Sequence, residues 1–135
     1  MDFSQIFQPG MVNEGTYIVG EQDLASHIGS GASRVLATPC MILFMERTAH
    51  RLLAQNLPAG YSSVGVVVHV EHLAPTPLGN TVRVRAVVEA VDGLKVTFTI
   101  QAWDEVEKIG EGTHQRFIID EARFLKRVHA KGGTS

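Results

Sequence analysis

One stretch of this chain carries the marks of a long helix, and after it the sequence switches to period two and keeps it. Thr38 offers a capping hydroxyl, and Pro39 suits the first helical position, where no amide hydrogen is required. Met41, Ile42, Met45, Ala49, Leu52 and Leu53 recur at spacings of three and four, which makes one apolar stripe. Asn56, Pro58 and Gly60 end it, so the pattern predicts a core-facing helix of roughly 17 residues.

From Ser62 onward the residues read as strands. The Val-rich run over residues 64–70 suits a central strand buried on both faces. After Pro75, Pro77 and Gly79, Val82, Val84, Ala86, Val88 and Ala90 alternate with polar neighbours, so one face is dry. Asp92-Gly93 signals a hairpin, and Leu94, Val96, Phe98, Ile100 and Ala102 resume the alternation beyond it. A further run over residues 108–119 completes a meander, with Gly110 and Gly112 marking a bulge or a close backbone approach.

The rest of the chain is weaker in pattern. Residues 1–14 read as a loose lead-in, Thr16 to Gly20 as a short strand, and residues 128–135 as a frayed tail. Residues 21–34 carry Gly29, Ser30, Gly31 and Ser33, which favours a flexible loop. A chain of 135 residues with 44% hydrophobic content is enough for one domain with a real core, spanning residues 1–135. One long helix and several long strands call for an α+β fold with the helix against one sheet face. A single helix cannot cover such a sheet, so a second copy of the chain is expected to bury the remaining apolar surface and the open edge.

Charge and cysteine content narrow the partners. A formal net charge of -2 supplies no overall positive field for nucleic acid. No apolar run reaches the roughly 20 residues that span a bilayer, so no membrane role is expected. Cys40 is the single cysteine and the start of the chain does not read as a signal peptide, which points to the cytoplasm.

Chemistry has few footholds. His69 and His72 are three apart on a strand and point to opposite faces, so no metal site is expected; no dinucleotide or phosphate loop calls for a cofactor either. Glu46 lies at the border of the apolar helix stripe, where ionisation costs more than at the surface, so its pKa should rise and make it a plausible base. The bland alternative is a border glutamate that reaches solvent or an arginine. His72 closes its strand before a proline turn and can exchange protons near neutral pH, or simply bond a backbone carbonyl. The bland alternative for Thr38 is a helix cap, although the same helix N-terminus can also stabilise an oxyanion.

Four segments together carry a resemblance: Val35-Leu36-Ala37-Thr38, the run from Met41 to Met45-Glu46, His72-Leu73-Ala74-Pro75-Thr76-Pro77-Leu78-Gly79, and Gly112-Thr113-His114-Gln115-Arg116. In order and spacing, from about Gly15 to Phe124, the chain resembles the hot-dog thioesterases of the fluoroacetyl-CoA thioesterase type. The resemblance implies a hot-dog fold, one long central helix wrapped by an antiparallel sheet, and hydrolysis of small acyl-CoA thioesters. It implies Thr38, Glu46 and His72 as the catalytic set, Gly65 lining the acyl site, Arg116 in the substrate-binding role, and a homodimer with the CoA thioester at its interface. One departure stands out: the fluoroacetyl-selective member has aromatic lid residues ahead of the helix, and this chain has Gly29, Ser30, Gly31, Ala32 and Ser33 there.

Thr38 and Glu46 are eight residues apart on one helix, about 12 Å along its axis. Either His72 and the long glutamate side chain bridge that gap, or Glu46 of a second subunit completes the site, to activate Thr38 or a water. The rival reading is a non-catalytic acyl-CoA binding module in which these side chains are structural. An enoyl-CoA hydratase fits less well, because its Asp-x-x-x-x-His loop motif is missing.

Overall fold

The computed structural model describes residues 2–132. The long helix, α2, runs Thr38–Ala54, the 17 residues the spacing predicted. Five strands follow the order β1-β3-β4-β5-β2, with β1 Val12–Ile18, β2 Tyr61–His72, β3 Thr81–Asp92, β4 Lys95–Trp103 and β5 Lys108–Asp120. Every neighbouring pair is antiparallel, and the sheet wraps α2, as the hot-dog expectation required.

Packing explains the arrangement. Met41, Phe44, Met45, Ala49, Leu52 and Leu53 of α2 are buried against Val82, Val84, Ala86 and Val88 of β3 and Val96, Phe98, Ile100 and Ala102 of β4. Ile42 was expected in that stripe but is only half-buried; Phe44 takes the core place, and Ile42, Glu46 and His50 form a flank one helical row aside. Ala90 was expected on the dry face, yet the register shifts between Val88 and Ala90, so Ala90 is exposed and Val91 packs on the core instead.

Four expectations need correcting. The first residues are no loose lead-in: Phe3 and Phe7 are buried, Phe3–Gln5 forms a 3-10 turn, and β1 begins at Val12, four residues before the expected strand. The Val-rich β2 is an edge strand rather than a central one, and its Val66 and Val68 are 46% and 38% exposed. The loop over residues 21–34 contains a short helix, α1, at Ala25–Ile28, and the tail forms α3, Glu121–Lys131, with Asp120 capping it; residues 133–135 of the expected frayed tail lie outside the described residues.

Gly110 and Gly112 do mark close approach. A Cβ on Gly110 would sit 2.6 Å from the Met41 sulfur, and one on Gly112 would run into the backbone carbonyl oxygen of His69. The first lets α2 lie close to β5, and the second lets β2 pair along β5 up to His72↔Gly110.

Candidate active site

The segment before α2 is held from both sides. The N–H of Ala37 donates to the Asp23 carbonyl at 2.8 Å, and that of Leu36 donates to the Thr76 carbonyl at 2.8 Å. Buried Thr76 is anchored in turn, its hydroxyl donating to Asp104 at 3.0 Å. This strap places Thr38 beside the end of β2, where its Oγ1 lies 2.7 Å from Nδ1 of His72.

Thr38 was expected as a cap, and it is not one. Ala37 occupies the N-cap position, its side chain makes no capping bond, and the Thr38 hydroxyl faces His72 instead. The expected cluster of helix amides for an oxyanion also shrinks. Pro39 has no N–H, the amides of Cys40 and Met41 both bond the Ala37 carbonyl, and the Ala37 amide is used by Asp23. Among the described residues, the Thr38 N–H is the first-turn amide that remains unused.

Burial holds the His72 ring below the usual histidine range, with the backbone of Ala74 partly offsetting it. A ring kept neutral beside a hydroxyl is a proton acceptor in waiting. A cavity of about 340 Å³ opens over the pair, lined by Ala25, Ser30, Thr38, His72, Leu73 and Pro75. The Gly-Ser segment at residues 29–33 is exposed at its margin.

Glu46 does not join Thr38 and His72 within the chain. Its Oε2 faces Nη1 of Arg116 at 3.4 Å, the arginine partner anticipated as the plainer alternative, in a second polar cluster on β2 and β5. Arg116 is only 6% exposed and makes four bonds: Nε to Ser63 Oγ at 2.9 Å, Nη2 to the Ser63 carbonyl at 3.2 Å, and Nη1 to Glu46 and to His114 Nε2 at 3.2 Å. Burial lowers the Arg116 pKa and Glu46 opposes that shift. Gly65 faces the same cluster, and a Cβ there would come 2.5 Å from Glu46 Oε2. The missing side chain at Gly65 therefore makes room first of all for the glutamate.

His114 and Ser63 carry this cluster and were not singled out from the sequence. The signal was present: in β5, His114, Arg116 and Ile118 share the buried parity, so two nitrogen-rich side chains occupy places where the alternation asks for apolar ones.

The two clusters divide the chemistry. One offers a hydroxyl, a neutral base and a free amide, and the other offers a carboxylate aimed by a buried guanidinium. Both reach the helix-facing side of β2, an edge strand along whose outer side no strand pairs among the described residues.

The model of a family described as fluoroacetyl-CoA-specific thioesterase matches residues 19–122. A fluoroacetyl-CoA thioesterase from Streptantibioticus cattleyicolor is 38% identical over 97 residues, which are 72% of this chain and 70% of that protein. A solved structure of a mutant fluoroacetyl-CoA-specific thioesterase in complex with fluoroacetate and CoA superposes with a TM-score of 0.83 at 31% identity, covering 87% of this chain and 99% of that one. A hot-dog-like protein from Thermanaerovibrio acidaminovorans gives a TM-score of 0.89 at 27% identity, with 97% of each chain covered.

Proposed function

The chain belongs to the fluoroacetyl-CoA-specific thioesterase family and is a thioester hydrolase on the hot-dog fold, and from that premise we propose that it cleaves small acyl-CoA esters with Thr38 as nucleophile and His72 as base. The observation that carries this reading is the 2.7 Å contact between Thr38 Oγ1 and His72 Nδ1.

In the proposed reaction Thr38 Oγ attacks the thioester carbonyl carbon while its proton passes to His72. The Thr38 N–H helps hold the oxyanion as it forms. The C–S bond then breaks, CoA leaves as the thiol with the proton returned by His72, and the acyl group rests on Thr38 as an ester. Water attacks that ester, its proton is taken up again, and free acid departs from a restored Thr38. The thiolate is a good leaving group, so a modest base suffices.

Glu46 enters from the other subunit in this reading. It lies two helical turns from Thr38 in its own chain and is tied to Arg116, while the exposed β2 edge invites pairing with a second copy. Antiparallel pairing of two β2 strands carries the Gly65 region of one chain toward the His72 end of the other. The working unit is a cytoplasmic homodimer, in which Glu46 of the partner subunit orients the water of the second step, Arg116 aims that carboxylate, and Gly65 leaves space for both carboxylate and acyl group.

Thiol release from acetyl-, fluoroacetyl-, medium-chain and aryl-CoA esters tests the function, with His72→Ala as control. Release that disappears in the variant is expected, with short esters preferred. Quenching early in turnover and finding the acyl group on the Thr38 peptide by mass spectrometry tests the nucleophile; turnover with no adduct under single-turnover conditions would assign the attack to water.

A further inference from the structure

His114 is 1% exposed and sits in the middle of β5, with its ring stacked along Phe98 at 6.3 Å. Both ring nitrogens are engaged. Nδ1 lies 2.8 Å from the Val67 carbonyl oxygen, and Nε2 lies 3.2 Å from Nη1 of Arg116. A guanidinium has donors and no acceptor, so Nε2 must be the bare, accepting nitrogen and Nδ1 must carry the proton it gives to Val67. The surroundings therefore fix both the charge state and the tautomer of this ring.

The consequence falls on Arg116. Ser63 holds its Nε and Nη2, which leaves Nη1 to choose a direction. One Nη1 hydrogen is taken by His114 and the other is presented to Glu46. A Lys could not divide its donors in this planar fashion. Gly65 closes the group, since a Cβ there would lie 3.1 Å from His114 Cε1 and 3.3 Å from Arg116 Nη1.

We propose that His114 is a positioning residue which, as the neutral Nδ1–H tautomer, clamps Arg116 so that the guanidinium fixes the direction of the Glu46 carboxylate. It touches no substrate and acts through Arg116. Its effect on turnover rests on the proposed use of Glu46, while the clamp itself does not. Burial, which keeps the ring below the ordinary histidine range, agrees with this neutral form.

Two measurements separate those layers. In the whole protein labelled with nitrogen-15, long-range proton-nitrogen spectra are expected to show His114 protonated at Nδ1 and bare at Nε2, with a slowly exchanging Arg116 Nε–H. A protonated Nε2 at neutral pH overturns the clamp, whether or not the protein turns over any ester. For turnover, His114→Asn keeps a donor near the Nδ1 position for Val67 but is too short to place an acceptor where Nε2 meets Arg116, whereas the longer His114→Gln can place one there. On the best ester of the panel, the Asn variant is expected to lose roughly ten- to hundred-fold in kcat with KM nearly unchanged, and the Gln variant to recover most of it. Wild-type kcat in a folded Asn variant, or equal losses in both variants, overturns the positioning role. Absence of thiol release from the wild type would instead strike at the hydrolase reading, and the spectra would still decide the clamp.

Discussion

Thr38 and His72 are 34 residues apart in the chain and 2.7 Å apart in space, and the Thr38 hydroxyl points to the ring rather than to the helix end it could have capped. That separates two roles that the sequence leaves mixed. Had the Thr38 hydroxyl capped α2, its removal would cost about 1 kcal/mol of stability. Because it faces His72, Thr38→Ala is expected to leave the melting temperature nearly unchanged and to lower kcat by roughly two to three orders of magnitude, with Thr38→Ser retaining most activity. Calorimetry together with thiol release checks this, and a destabilised Thr38→Ala that still turns over would reverse the assignment.

A site shared between subunits has a signature no single variant gives. Thr38→Ala and Glu46→Gln homodimers are each expected to be nearly inactive. Mixed after dissociation, they form heterodimers in which one site combines the intact Thr38 of one chain with the intact Glu46 of the other. Random pairing then restores roughly a quarter of wild-type activity. If each chain supplies its own Glu46, every site keeps a defect and mixing restores nothing.

Gly65→Ala tests what the missing side chain does for the site and for the fold together. The added methyl would meet Glu46 Oε2 at 2.5 Å, and that atom is the far end of a side chain about one-third exposed, at 38%. Glu46 can swing aside, but the same methyl would lie 3.1 Å from His114 Cε1 and 3.3 Å from Arg116 Nη1, and the buried guanidinium would lose its counter-charge, so a stability loss of roughly 1–3 kcal/mol is expected. The carboxylate loses its place, and kcat should fall at least about tenfold. Urea denaturation and steady-state kinetics on one preparation test both halves; full activity would remove Glu46 from the reaction.

How much of this was legible beforehand follows from the range of the interactions. Helix α2 was readable because its periodicity, Pro39 and the terminating residues are local, and the hairpin at Gly93 was readable because a two-residue turn is local too. The capping role expected of Thr38 fails because the hydroxyl's partner lies on another element. The Val-rich β2 was read as central because its composition reports apolar surroundings without saying what supplies them; in the single chain it is an edge, with Val66 and Val68 partly exposed. Phe3 and Phe7 looked isolated in the sequence, and it is Tyr61 and the core that bury them, Phe3 meeting the Tyr61 ring at 5.3 Å. Thr38, Glu46 and His72 came from a resemblance, whereas His114 could have been found by parity alone along β5.

Acid should act on both stability and rate, through the same buried rings. His50, His72 and His114 all lie below the ordinary histidine value of 6.5, chiefly because burial disfavours the charged ring. In the unfolded chain these rings titrate near that ordinary value. Below it the unfolded state takes up protons that the folded state resists, so their contribution to stability is complete above about pH 6.5 and is lost progressively as pH falls toward the folded values. Urea midpoints are therefore expected to decline from pH 7.5 to pH 5.5, and less steeply in His114→Gln, which removes one of the three titrations. The acid limb of kcat/KM should report His72 as the base in the free enzyme, with a midpoint below 6.5 rather than at it. A midpoint clearly above 6.5 would mean that the desolvation of His72 is outweighed in the assembled site by a nearby carboxylate, the place proposed for Glu46 of the partner subunit.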